Sequence, residues 1–208
     1  MHIPSAVSQK IEFLTFSKAL SEEQSVQHEY NAEKWLYVPC RYSEYRYILG
    51  TRGKNPLICI GINPSTAEPD NLDNTLKSVE RIALFNGYDS FIMFNVYPQR
   101  ATNPDDMDTE FNQPMHKENM QAFRYILSLY GKGHKPAVWA AWGTLIEKRA
   151  YLKDCVKDMV EIGQTLGAEW YTVGTRSKAK GHPHHPLYLK KDSETEIFSD
   201  ISDYLDSL

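Results

Sequence analysis

The chain is poor in cysteine, lacks a basic excess and has no long apolar run, and each shortage removes a class of protein. Its three cysteines, Cys40, Cys59 and Cys155, have no paired spacing. A disulfide framework, a four-cysteine zinc site or an iron–sulfur cluster therefore has no basis within one chain, and a reducing cytoplasm is the expected compartment. No apolar stretch is long enough to span a bilayer, and Met1-His2-Ile3-Pro4-Ser5 lacks the basic start and apolar core of a secretory signal. With 23 basic against 27 acidic residues the net charge is −4, which argues against coating nucleic acid by bulk electrostatics. Internal repeats and low-complexity tracts are missing too. Ser65 and Ser177 have no nucleophile-elbow pattern around them, so serine-based hydrolysis is not expected.

What is present reads as one globular domain: 208 residues, 41% hydrophobic and 12% aromatic. The most informative stretch is Leu57-Ile58-Cys59-Ile60-Gly61-Ile62-Asn63-Pro64, an apolar strand running into a glycine, an amide and a rigid turn. Such a junction puts Asn63 at the carboxyl end of a strand, where open α/β sheets hold ligands. Three later runs, Phe91 to Asn95, Ala137 to Gly143 and Trp170 to Arg176, end in the same way. Helical patterns separate them, which predicts an α/β fold: a three-layer α/β/α arrangement around a mostly parallel, four-stranded sheet. Right-handed crossovers would bring Asn63, Asn95, Trp142-Gly143 and the histidine-rich 181–189 stretch to one edge.

Helices are expected from N-cap candidates Asp73-Asn74-Thr75 to Gly87, from near Pro114 to Gly131, and from about Leu145 to Leu166. Terminal helices are expected over Lys10 to Leu20 and from Ser193, where Glu196 completes a capping box. Tyr42 to Gly50, with a turn at Thr51 to Asn55, predicts a hairpin leading into the strand before Gly61. The chain thus divides into an N-terminal extension at 1–36, a core at 37–191 and a C-terminal helix at 192–208. Charge is unevenly spread: Arg176, Lys178, Lys180, Lys190 and Lys191 lie in a stretch with three histidines and no carboxylate. Two of those histidines are adjacent and prolines interrupt them, so neither a metal nor another cofactor is expected.

In order, the four strand ends resemble the motif series of the uracil-DNA glycosylase superfamily over roughly residues 55 to 190. Gly61-Ile62-Asn63-Pro64 is similar to the first motif of the mismatch-specific uracil and thymine glycosylases, whose asparagine holds the attacking water. Asn95 matches the asparagine that reads the pyrimidine edge, and Trp142-Gly143 the end of the third core strand. Gly181 to Leu189 is similar to the second catalytic motif but carries one extra residue, so either His182 or His185 takes the catalytic position. Asn63 to Ala67, Asp73 to Thr75, Arg100-Ala101-Thr102, Trp142-Gly143 and His185 to Leu189 together resemble a bacterial and phage family to which no function is attached.

The resemblance implies a DNA glycosylase, with DNA as partner and phage defence or DNA repair as the setting. The residues suit that chemistry. An imidazole at a base carbonyl acts as an oxyanion donor worth about 3 kcal/mol, and the amide of Asn63 can orient water. An amide at Asn95 both donates and accepts, as base edges require. Gly61, Ile62 and Pro64 would line the base pocket, with Phe94 or Tyr97 stacking on the base. Arg176, Lys178 and Lys180 would grip phosphates while Leu187 or Tyr188 fills the gap left by a flipped nucleotide. No membrane and no obligate protein partner is expected. The rival readings are a non-catalytic nucleic-acid or nucleotide binding module and a hydrolase or transferase of free nucleosides.

Overall fold

A computed structural model describes residues 1–208, the side chain of Ser8 excepted. The chain runs through helix Phe16–Ser25 (α1), strands Trp35–Val38 (β1), Ile48–Thr51 (β2) and Pro56–Gly61 (β3), helix Asn74–Phe85 (α2) and strand Ser90–Asn95 (β4). Helix Gln113–Tyr130 (α3), strand Ala137–Ala140 (β5), helix Tyr151–Thr165 (α4), strands Glu169–Val173 (β6) and Thr195–Ile197 (β7), and helix Ile201–Asp206 (α5) complete it. The class is α/β. Among the described residues, no helix is long and apolar enough to cross a membrane.

All strands join one sheet in the order β1-β2-β4-β3-β5-β6-β7. Three pairings, β4 with β3, β3 with β5 and β5 with β6, are parallel, and the other three are antiparallel. The expected mostly parallel sheet of four strands is therefore corrected to a mixed sheet of seven, half of whose pairings are antiparallel. β1 escaped notice because all four of its residues are buried, which erases the alternation that marks a half-exposed strand. The expected hairpin is also redrawn: β2 pairs with β1 and β4 and makes no ladder with β3. Gly50 permits this, since a Cβ there would lie 2.3 Å from the carbonyl oxygen of Phe91.

Residues of β3 and β4 are buried throughout, as parallel strands covered on both faces must be. Alternation sorts them: Ile58, Ile60, Ile92 and Phe94 join the core under α3 and α4, while Leu57, Cys59, Phe91 and Met93 join the core under α2. Asp73 caps α2 by accepting from the Leu76 amide at 2.9 Å, and Leu76, Val79, Ile82 and Ala83 form its buried stripe. α1 buries Phe16 and Ala19 in the larger core. The predicted third helix is two pieces, a 3₁₀ turn over Gly143–Glu147 and then α4. At the tail the Ser193–Glu196 capping box does not form. Thr195 instead donates its amide to Asn86 Oδ1 at 2.9 Å and enters β7, and the helix waits until Ile201.

One topological fact positions the site. β3 hands the chain to α2 on one face, whereas its neighbours β4 and β5 hand it to α3 and α4 on the other. The connections part above the carboxyl end of β3, which is where a crevice must open.

Candidate functional site

A cleft of about 910 Å³ occupies that crevice, large enough for a nucleotide. Its wall comes from the 61–66 turn, the first turn of α2, Asn95, the 143–145 turn and residues 175–188. Asn95 stands beside Gly61 in the β3–β4 register, and a Cβ on Gly61 would lie 3.2 Å from Asn95 Oδ1 and 2.6 Å from the Met93 side chain. Glycine keeps that space open. Asn95 is 1% exposed, and neither its Nδ2 nor its Oδ1 has a hydrogen-bond partner. Buried amides are normally satisfied, so an orphaned one at a cleft is a candidate ligand contact.

Asn63 and Ile62 also line the cleft. The Asn63 Nδ2 donates to the carbonyls of Ala101 at 2.7 Å and Pro64 at 3.1 Å, which pins the side chain and leaves Oδ1 as its free acceptor. Pro64 itself is buried in the loop and does not line the cleft; its carbonyl accepts from Asn63 and from the Ala101 amide.

Both candidate histidines face the same hollow. The backbone amide of His182 donates to Ser177 Oγ at 3.0 Å, and its Nδ1 lies 2.9 Å from the Tyr204 hydroxyl. That hydroxyl also accepts from Trp142 Nε1 at 2.9 Å, so strand end, cleft imidazole and α5 are joined by one buried phenol. The His182 Nε2 is enclosed without a hydrogen bond, 3.8 Å from a Glu147 carboxylate oxygen. His185 Nδ1 accepts from the Leu187 amide at 3.3 Å, which places the proton of the neutral ring on Nε2. Burial pushes the pKa of each imidazole below its ordinary value, against the opposing pull of Glu147 on His182 and of Asp73 on His185. Gly143, at φ 62°, turns the 143–145 segment so that a Cβ there would approach His185 Cβ to 3.4 Å.

Neither aromatic proposed to stack on a base lies in the cleft. Strand alternation sends Phe94 to the α3 side, where it meets Phe123 edge-on at 5.3 Å, opposite to its neighbours Met93 and Asn95. Tyr97 is buried against Tyr151 at 4.9 Å, and its hydroxyl accepts from the Asn112 amide at 3.1 Å. The cationic stretch is partly neutralised. Arg176 lines the cleft but donates to Asp200 at 2.7 Å and covers the Phe198 ring, and Lys180 is paired with Glu147 outside the lining. Lys178 lines the cleft, and Leu187 and Tyr188 stand at its rim, 43% and 75% exposed. Among the described residues no cluster of three or more histidine, cysteine or acidic side chains is placed to hold a metal ion.

Sequence reasoning overlooked Arg46. It lies in the aromatic run Tyr45-Arg46-Tyr47 that reads as a strand, yet it is 1% exposed and lines the cleft. Arg100 is buried beside it, with Nη2 donating to the Tyr37 hydroxyl at 2.9 Å and Nη1 to the Ser65 and Ala67 carbonyls. The sequence places Tyr204 only within the expected C-terminal helix; nothing in its spacing announces a partner 22 residues earlier.

Fold and site together define an α/β protein with a cleft that presents amide and imidazole groups at the carboxyl ends of its parallel strands. Residues 46–187 match the family described as "Protein of unknown function (DUF1643)", and the chain belongs to that family. Searches of curated proteins and of solved structures return no match.

Proposed function

We propose that the protein is an N-glycosyl hydrolase of uracil-DNA glycosylase-like architecture that removes a damaged, mismatched or modified base from DNA. The single observation that carries this reading is the orphaned Asn95 amide beside Gly61. A nucleobase edge offers adjacent donor and acceptor atoms, which is what a buried amide with both ends free requires. Asn63 accepts a hydrogen bond from water through Oδ1. The water oxygen bonds to C1′ as the C1′–N bond breaks, the base leaves with the electron pair, and the water's proton ends on solvent or base. His182 or His185 donates from Nε2 to the base carbonyl and stabilises that charge. Because an amide removes no proton as a carboxylate does, the turnover is modest.

A second reading is favoured by the pairing of Arg176 with Asp200 and of Lys180 with Glu147, which leaves less free charge for a DNA backbone. On that reading the substrate is a free nucleoside or nucleotide. The test is a panel of single- and double-stranded oligonucleotides carrying uracil, hydroxymethyluracil, glycosylated hydroxymethylcytosine or mismatched thymine, scored for alkali-labile sites, with free nucleosides scored for released base. Cleavage lost in Asn95→Leu and in one of His182→Ala or His185→Ala upholds hydrolysis. No cleavage of any member overturns it. Steep weakening of binding with salt marks DNA as the ligand, and a flat response marks the free nucleoside.

A further inference from the structure

The 44–46 and 98–100 segments run as a short antiparallel ladder: Tyr45 faces Gln99, the Arg46 amide donates to the Pro98 carbonyl at 2.9 Å, and the Arg100 amide donates to the Glu44 carbonyl at 2.8 Å. Arg46 and Arg100 each follow a member of the facing pair, so both side chains leave the ladder on the same side. Both guanidinium groups reach the Ala67 carbonyl, at 3.2 and 3.3 Å, under the turn that carries Asn63. Two cations are thus buried side by side, and no carboxylate among the described residues makes a salt bridge with either.

Their bonding differs. Arg100 spends its terminal nitrogens on two carbonyls and a phenol, as a structural arginine does. Arg46 has one side-chain bond, from Nη1; its Nε, like that of Arg100, is enclosed without an acceptor, but its Nη2 also has none in the protein. Burial first, and the Arg100 charge next, drive its pKa down to about 9 against the weaker pull of the Tyr37 hydroxyl and the Asp73 carboxylate. A guanidinium forks two parallel donors toward one oxyanion, and burying it without a counter-charge is unfavourable until such an anion arrives. The first turn of α2 reaches the same cleft through Asn74 and Thr75, adding backbone amides with no intrahelical acceptor and the positive end of a 12-residue helix. Asp73 is the one carboxylate there, and its Oδ1 is held by the Leu76 amide.

We propose that the cleft beneath the 63–67 turn is a phosphate subsite in which Arg46, backed by Arg100 and the start of α2, takes the phosphate group of the nucleotide whose base is held at Asn95. The nucleotide as source of the phosphate rests on the functional reading above; the phosphate subsite itself does not.

Titration with inorganic phosphate, followed by calorimetry and by thermal unfolding at fixed ionic strength, tests the subsite alone. Wild-type protein should bind it and gain about 3–6 °C in Tm at ten times Kd relative to chloride. Arg46→Met should lose affinity tenfold or more. Arg46→Lys, which keeps the charge without the fork, should lose at least threefold and serves if the methionine variant does not fold. No binding by wild type at tens of millimolar phosphate, or equal affinity in the Arg46 variants, overturns the proposal. A deoxynucleoside 5′-monophosphate binding at least tenfold tighter than inorganic phosphate, with the excess lost in Asn95→Leu, upholds the nucleotide as source. Equal affinities overturn that assignment and leave a site for free phosphate. Oligonucleotides left uncut while phosphate still binds sink the hydrolase reading and spare this one; cleavage without phosphate binding does the reverse.

Discussion

Substituting leucine for Asn95 removes two buried polar atoms without partners and puts in their place an apolar side chain of similar size. An unsatisfied buried donor or acceptor costs about 1–3 kcal/mol, whereas an apolar group of the same shape costs nothing of that kind. Two such atoms set the gross gain at about 2–6 kcal/mol. Against it stands tight space: the amide oxygen sits where a Cβ on Gly61 would be only 3.2 Å away, and leucine is branched where the amide is flat. Overpacking of this kind costs about 1–3 kcal/mol. Taking the middle of each range, the net expectation is a protein more stable by about 2 kcal/mol, with Tm higher by about 2–4 °C for each kcal/mol, which under the proposed function no longer holds a base. Urea unfolding at constant m-value measures the first effect and the oligonucleotide panel the second. A variant destabilised by about 1 kcal/mol or more would mean that the native amide is bonded after all, and the argument from orphaned atoms to a ligand would fail.

Asn63→Asp is isosteric but turns a donor into an acceptor facing the Ala101 and Pro64 carbonyls, so stability should fall by about 1–3 kcal/mol in urea unfolding. Tyr204→Phe strips the hydroxyl from Trp142 Nε1 and His182 Nδ1; loss of about 1–3 kcal/mol is expected in urea unfolding, and under the proposed function cleavage in the oligonucleotide panel falls more than substrate affinity. Acid should weaken the fold through His182, whose folded pKa lies below the unfolded 6.5 because it is buried. The unfolded chain takes up its proton first, so this contribution is flat above the unfolded value and falls as pH drops through 6.5 toward the folded value. His182→Gln should show a smaller stability loss between pH 7 and pH 5 than wild type, and an equal loss would refute the assignment.

The central strands were legible because a strand buried on both faces leaves a continuous apolar run, and the glycine, amide and proline that end β3 mark its exit. Edge strands were not. β1 is a four-residue apolar stretch among polar neighbours, and β7 carries only a threonine, a glutamate and an isoleucine that the helical period also explains. Within the site, a run of residue types cannot tell which face of a strand each occupies until the register is known. That is why Phe94 is expected at the cleft yet packs on the opposite face of the sheet. The charges of Arg176 and Lys180 were read as free since the carboxylates that quench them lie 24 and 33 residues away. Arg46 gave no signal because an arginine between tyrosines in a strand ordinarily faces solvent.

The phenol of Tyr204 lies beyond residue 187, where the family match stops, yet it braces the imidazole and the indole of two segments inside that match. A fragment trimmed to residues 46–187 would strip Trp142 Nε1 and His182 Nδ1 of their shared hydroxyl partner and would also forfeit β1 from the rim of the sheet. Recombinant work on relatives should accordingly choose its limits by which polar atoms are left wanting, and keep the closing helix as a working part of the centre.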